Sequence, residues 1–315
     1  MKANKNLHSV AIASATLILF LILISSTVSA APYAYITNSG DKNVYVIDTE
    51  TNKVTAIVDV GSRPEGVAAS PYGTMVYVAN RDSNTVSVID TATNTVTATV
   101  NGLNGPWKVA VIPDGTKVYV ASVNNNTVSI INTATKTVTA TVNVGNPPIG
   151  VAVTPDGKKV YVANGWNNTV SVIDAATNEI TDNVPVGSYP EGVAVTPDGT
   201  KVYVANANNG TISIIDTATN TATATVSVGN GPIGIAVRPD GTKVYVANVY
   251  DSTVSVIDTA TNKVTDAVSV GSHPEGVAVT PDGTKVYVAN GLNNTVSVID
   301  TATNTVTATA TNNIM

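Results

Sequence analysis

Residues 192–206 read GVAVTPDGTKVYVAN, and this stretch decides the fold. Its last six letters, KVYVAN, recur unchanged and end at Asn164, Asn206, Asn248 and Asn290. Close variants end at Asn38, Asn80 and Ser122. The tyrosine of the motif stands at Tyr35, Tyr77, Tyr119, Tyr161, Tyr203, Tyr245 and Tyr287, so every step is 42 residues. Seven copies without an insertion identify a repeat architecture before any other feature is weighed.

Within one repeat the apolar runs are four to seven residues long, rich in Val, Ile, Thr and Tyr, and separated by turn residues. Runs this short with β-branched and aromatic content predict strands, since helices need longer segments at period 3.6. Four strands follow in order: A (GVAV), B (KVYVAN), C (TVSVID) and D (TVTATV). The Pro-Asp-Gly between A and B presets one turn angle and supplies a left-handed glycine, as a bulge-type hairpin requires. The Asp and Asn of DTATN make the C–D turn. Pro64, Pro106, Pro148, Pro190, Pro232 and Pro274 precede the A strands and separate one sheet from the next.

Short loops make each repeat an antiparallel meander with two apolar faces. Packing seven such sheets radially buries both faces of each, and the result is an all-β, seven-bladed β-propeller of four-stranded blades. Strand A, made of small residues, belongs near the axis. Strand B belongs further out, where its Tyr fills the widening gap between blades.

The chain has 315 residues, a net charge of −6 and no cysteine, with only 12% charged residues. The acidic balance and the lack of any basic run exclude a phosphate-backbone partner, so no nucleic acid is expected. Residues 1–30 differ from the rest: Lys2 and Lys5, an apolar run from Val10 to Ile24, then SSTVSA. This pattern predicts a signal peptide cut before Ala31, leaving 31–315 as the exported propeller. The apolar run is shorter than a stable transmembrane span. Without cysteine the exported domain is held by its core alone.

The repeat, for example PEGVAVTPDGTKVYVAN continuing to NTVSVIDTATNTVTAT over residues 274–309, closely resembles the YVTN-repeat β-propellers of archaeal surface-layer and cell-surface proteins. The resemblance covers everything after about Pro32. It implies the propeller fold and a place at the cell surface. In that family the chain end usually returns to complete the first blade. Here the repeat begins at strand B, from Tyr33, and a D-like strand ends near Ala310. The first blade is therefore expected to lack its inner strand.

Residues that break the repeat are the candidates for function. One B–C loop position reads Gly40, Asp82, Asn124, Trp166, Asn208, Tyr250, Leu292. One D–A loop position reads Glu65, Trp107, Ile149, Glu191, Ile233, Glu275, and two residues earlier the chain has Arg63, Gly105, Pro147, Tyr189, Gly231, His273. Trp107, Trp166, Tyr189, Tyr250, His273 and Glu191 are thus expected on one face. Loop aromatics there suit sugars or a protein partner, or pack on neighbouring loops. Glu65, Glu191, Glu275, Lys108, Arg63 and His273 are expected around the channel mouth. His273 is the only histidine after the leader, and there is no cysteine and no cluster with metal-ligand spacing. No metal, cofactor or catalytic residue is therefore expected. Sequons stand at Asn125, Asn167, Asn209 and Asn293, all at one B–C turn position, as candidate glycosylation sites of an exported protein.

The leading expectation is a non-enzymatic structural or adhesive module contacting cell-envelope proteins or carbohydrates. The alternatives are a lactonase-like extracellular hydrolase using Glu191, Glu275 and His273, and a ligand-binding receptor module.

Overall fold

The computed structural model describes residues 23–24 and 33–311. They form seven antiparallel sheets arranged as a β-propeller, with no helix among the described residues. Blade 1 is β1 (Leu23–Ile24), β2 (Tyr33–Asn38), β3 (Asn43–Asp48) and β4 (Lys53–Asp59). Blade 2 is β5 (Pro64–Ala69), β6 (Met75–Asn80), β7 (Thr85–Asp90) and β8 (Thr95–Val100). Blade 3 is β9 (Pro106–Val111), β10 (Lys117–Ser122), β11 (Thr127–Asn132) and β12 (Thr137–Asn143). Blade 4 is β13 (Pro148–Val153), β14 (Lys159–Asn164), β15 (Thr169–Asp174) and β16 (Ile180–Pro185). Blade 5 is β17 (Pro190–Val195), β18 (Lys201–Asn206), β19 (Thr211–Asp216) and β20 (Thr221–Ser227). Blade 6 is β21 (Pro232–Val237), β22 (Lys243–Asn248), β23 (Thr253–Asp258) and β24 (Lys263–Ser269). Blade 7 is β25 (Pro274–Val279), β26 (Lys285–Asn290), β27 (Thr295–Asp300) and β28 (Thr305–Thr311).

Blade 1 has only three full strands, as its sequence predicts. At its inner edge just two residues, Leu23 and Ile24, pair with Ala34 and Tyr33. The remainder of the expected signal segment, 1–30, lies outside the described residues.

The inner strands sit side by side around the axis, and this proximity explains their glycines. A Cβ on Gly192 would lie 2.0 Å from the Ile233 carbonyl oxygen of the next blade, and one on Gly150 would lie 1.9 Å from the Glu191 carbonyl. No side chain fits between backbones that close. Lys108 occupies the same position in blade 3, where five other inner strands have Gly66, Gly150, Gly192, Gly234 and Gly276.

The motif tyrosines are buried between blades, with Tyr119, Tyr161, Tyr203, Tyr245 and Tyr287 at 0% exposure. Tyr35, Tyr161, Tyr203 and Tyr287 also latch neighbouring blades together. Tyr161 Oη donates to Asn220 Oδ1 at 3.0 Å, and Tyr35 Oη to Asn94 Oδ1 at 2.7 Å, each across to the next blade's C–D turn. The motif lysine reaches the same turn: Lys159 Nζ donates to the Thr217 carbonyl at 2.6 Å. The last Asn of the motif locks its own blade. Asn206 Nδ2 donates to Thr211 Oγ1 at 3.1 Å and Ser213 Oγ at 2.9 Å. A Cβ on Gly187 would meet that Asn206 side chain at 2.5 Å, so the glycine of the D–A loop makes room for it.

Blade 7 meets blade 1 through the same devices. Tyr287 Oη donates to Asn52 Oδ1 at 2.7 Å, and Lys285 Nζ to the Thr49 carbonyl at 2.7 Å. Ala34, Ile36, Tyr45 and Ile47 of blade 1 share one buried cluster with Tyr287, Val296 and Val298. Among the described residues the ring therefore closes on side chains rather than on a shared sheet.

Candidate functional site

The D–A and B–C loops of each blade are tied together on one face. Ala207 N donates to the Tyr189 carbonyl at 2.9 Å, Val249 N to Gly231 at 3.0 Å and Gly291 N to His273 at 2.8 Å. The sequon asparagines belong to this lacing. Asn167 Oδ1 accepts from Asn146 N at 2.6 Å, and the side chains of Asn209 and Asn293 accept from Ser188 N and Ser272 N. Asp251 does the same for Asn230 N at 2.7 Å. Asn125 instead accepts from Thr127 Oγ1 at 2.9 Å. The repetition of Asn at this turn thus has a structural cause: it caps the facing loop. All four asparagines are exposed.

A cavity of about 360 Å³ opens at the channel mouth on this face. Trp107, Tyr189, Tyr250, His273 and Glu191 all line it, as does Glu275. Trp166 does not line it; it stands on the rim of the same loop layer, exposed to solvent. Five of the six proposed binding residues are therefore gathered into one site.

Several side chains are held in place by their neighbours. The ring of Tyr250 meets His273 edge-on, 6.5 Å between centroids, and His273 Nδ1 is in hydrogen-bond contact with Glu275 Oε1. Gly231 lies under the Tyr250 ring, where a Cβ would come within 2.6 Å of it. Arg63 Nε donates to Glu65 Oε1 at 2.9 Å. Arg63, Tyr189 and His273 have positive φ values of 54°, 56° and 60°. The equivalent loop position in blades 3 and 6 is Gly105 and Gly231. Each of these non-glycine residues costs about 1 kcal/mol of backbone strain. They occur where the second residue on is Glu65, Glu191 or Glu275; where that residue is Trp107 or Ile233, glycine returns.

The glutamates surround Lys108. Glu65 and Glu275 are fully buried, while Lys108 and Glu191 are partly buried. Burial pushes Glu65 up to about 8, against the pull of Arg63, Lys108 and Arg81. Burial likewise pushes Glu191 up to about 7, with Lys108 opposing. Lys108 is drawn down to about 7 by burial, with Glu191, Glu65 and Glu275 opposing in that order. Burial also lowers His273. Near neutral pH the cluster is thus poised between protonation states.

Arg81 was not among the residues singled out from the sequence. Its guanidinium lies 4.7 Å over the Trp107 ring, and it lines the cavity. The signal was there: the B–C position reads Ser39, Arg81, Val123, Gly165, Ala207, Val249, Gly291, with a single charge. No group of His, Cys, Asp and Glu able to hold a metal occurs among the described residues. Among the described residues there is no helix long and apolar enough to cross a membrane.

Comparison with known proteins agrees with this architecture. The chain is similar to the hydrazine synthase structure from Kuenenia stuttgartiensis, with a TM-score of 0.79 and 25% identity, covering 86% of this chain and 92% of that one. It is also similar to a functionally unknown protein from Desulfotomaculum acetoxidans, with a TM-score of 0.80 and 19% identity over 89% and 95% of the two chains. The second likeness shows the fold alone. No curated protein matches. The profile of the YNCE-like beta-propellers matches residues 8–126, 113–198, 160–242 and 235–314, and the chain belongs to that family.

Proposed function

We propose that this chain is an exported, non-enzymatic propeller of the cell surface that acts as an interaction module, contacting envelope proteins or carbohydrates with its D–A and B–C loop face. One observation carries the reading. A single B–C loop position bears large, exposed side chains in three blades: Trp166 is 72% exposed, Tyr250 78% and Leu292 64%. Aromatic and apolar groups held out of the core on rigid loops are anchors for a partner. The scaffold beneath them is uniform, which suits a module that presents a surface. Glycans at Asn125, Asn167, Asn209 and Asn293 belong to the same reading, and the intact mass of the protein from its own source checks them.

The test is binding to isolated envelope. The wild type is expected to bind and a folded Trp166→Ala, Tyr250→Ala, Leu292→Ala variant to lose most of it. Equal binding by both would remove the loop face from the account.

A second reading is hydrolysis, favoured by the presence of Glu191, Glu275 and His273 on one cavity. A carboxyl pushed up to about 7, as Glu191 is, suits general acid–base work. Turnover of a lactone by the wild type, absent in Glu191→Gln, would favour it over the interaction module.

A further inference from the structure

We propose that the cavity at the channel mouth binds one neutral sugar ring, stacked against Tyr250 and Trp107 and hydrogen-bonded by Glu191, Arg81 and Asn208. This rests on the reading of the loop face as a recognition surface and names the ligand class of its deepest part.

The size comes first. A cavity of about 360 Å³ lies at the low end of small-molecule sites, which run from roughly 300 to 1,000 Å³. It is large enough for a single sugar residue. The lining is mixed in the way a sugar needs. Aromatic faces and the side chains of Ile149 and Ile233 meet the C–H faces of the ring. A few polar groups then fix its hydroxyls. A hydroxyl both donates and accepts, so it is served by the Glu191 carboxyl, which accepts when ionised and also donates when protonated, by Arg81, which donates, and by Asn208, which does both.

Charge decides against the alternatives. Lys108 already stands within electrostatic reach of Glu191, Glu65 and Glu275. An ammonium ligand would find those carboxylates partly neutralised and would be repelled by Lys108 and Arg81. A carboxylate or phosphate ligand would bring its charge against the carboxyl groups of Glu191 and Glu275, which line the cavity. A neutral polyol meets neither penalty and uses both kinds of group.

The platform is also built in advance. Tyr250 rests on Gly231 and is braced edge-on by His273, which is itself held by Glu275. Tyr189 and His273 keep left-handed backbone at φ 56° and 60° while their side chains line the cavity.

The two tryptophans give a direct test, since Trp107 lines the cavity and Trp166 does not. In the full-length Trp166→Phe protein, Trp107 is the sole indole. Its fluorescence is titrated with glucose, galactose, mannose and N-acetylglucosamine, with oligosaccharides released from the source's own envelope, and with methylammonium and acetate. At least one neutral sugar is expected to give a saturable change, weakened about 10-fold or more by Tyr250→Ala and by Glu191→Gln in proteins with unchanged melting. Saturation by oligosaccharides far below the free sugars would place the ligand at a glycan chain end; equal affinity would make it a free sugar. A response to methylammonium or acetate alone overturns the proposal. So does the absence of any saturable response; if envelope binding persists in that case, the interaction module survives without the sugar, and if it is also lost, both fall.

Discussion

The hydroxyl of Tyr287 donates to the side chain of Asn52 across 2.7 Å, joining residues 235 positions apart in the chain. This bond stands where blade 7 meets blade 1. It repeats the Tyr–Asn latch of Tyr161 with Asn220 and Tyr35 with Asn94. A ring whose first blade has three full strands is thus closed by a contact that also joins blade 1 to blade 2 and blade 4 to blade 5.

Removing that hydroxyl measures the closure. Tyr287→Phe is expected to lower stability by about 1 kcal/mol, the usual net value of one hydrogen bond. Tyr245 supplies the control, because its hydroxyl is buried with no hydrogen-bond partner among the described residues. Tyr245→Phe is expected to be neutral or slightly stabilising. Chemical denaturation of the two variants side by side checks both.

Packing at the axis gives a larger effect. Gly192→Ala forces a methyl to 2.0 Å from the Ile233 carbonyl oxygen, which is fixed backbone. Overpacking of this kind costs about 1–3 kcal/mol or more. Thermal melting would show a marked loss, and an unchanged melting temperature would mean that blades 5 and 6 are not packed this tightly.

The sequon asparagines separate capping from glycosylation. Asn167→Asp keeps the oxygen that accepts from Asn146 N at 2.6 Å but removes the glycan acceptor. Its stability without glycan is expected to stay near the wild type. Asn167→Ala is expected to lose about 1 kcal/mol with the capping bond. Melting of unglycosylated protein reads the difference.

The buried charges predict a pH profile with two limbs. Glu191 is pushed up to about 7 and Glu65 to about 8, so the folded chain holds protons that the unfolded chain has released. Stability therefore falls as pH rises from the ordinary carboxyl range through these values. Lys108 is drawn down to about 7, so above that pH the unfolded chain holds the extra proton and stability recovers toward the ordinary lysine range. Arg63 and Arg81 lower Glu65 and Glu275 raises Lys108, while His273 sits against Glu275, and these neighbours move the midpoints of the limbs. Glu191→Gln is expected to flatten the falling limb between about 4.5 and 7 by at most roughly 3 kcal/mol. Urea midpoints across pH 4.5 to 9 check it.

The propeller was legible because a 42-residue period repeats every structural decision seven times. Pro-Asp-Gly marks a turn, Tyr marks the gap between blades, and Gly192 with its counterparts marks the axis. Departures from the period led to Tyr189, Tyr250, Trp107 and His273, because a B–C or D–A loop position maps to one face whatever the blade. Trp166 sits on that face but outside the cavity, since loop position fixes the layer and not the direction of a side chain. Arg81 escaped because its role comes from Trp107, a residue of the neighbouring blade. The capping by Asn167 and Asn209 escaped for a related reason: an N-x-Thr pattern reads as a glycosylation signal, whereas the bond it makes spans 21 residues to the facing loop. The closure of Tyr287 on Asn52 needed the ring itself.

The claim that the D–A and B–C loop face meets the partner is tested most directly by photo-crosslinking in the source cells. One protein carries a crosslinking residue in place of Tyr250, on this face. The other carries it in place of Tyr72, which is 65% exposed on an A–B loop of the opposite face. The account predicts adducts to envelope material from position 250 and few or none from position 72. Adducts from position 72 with none from 250, or equal labelling at both, would contradict it.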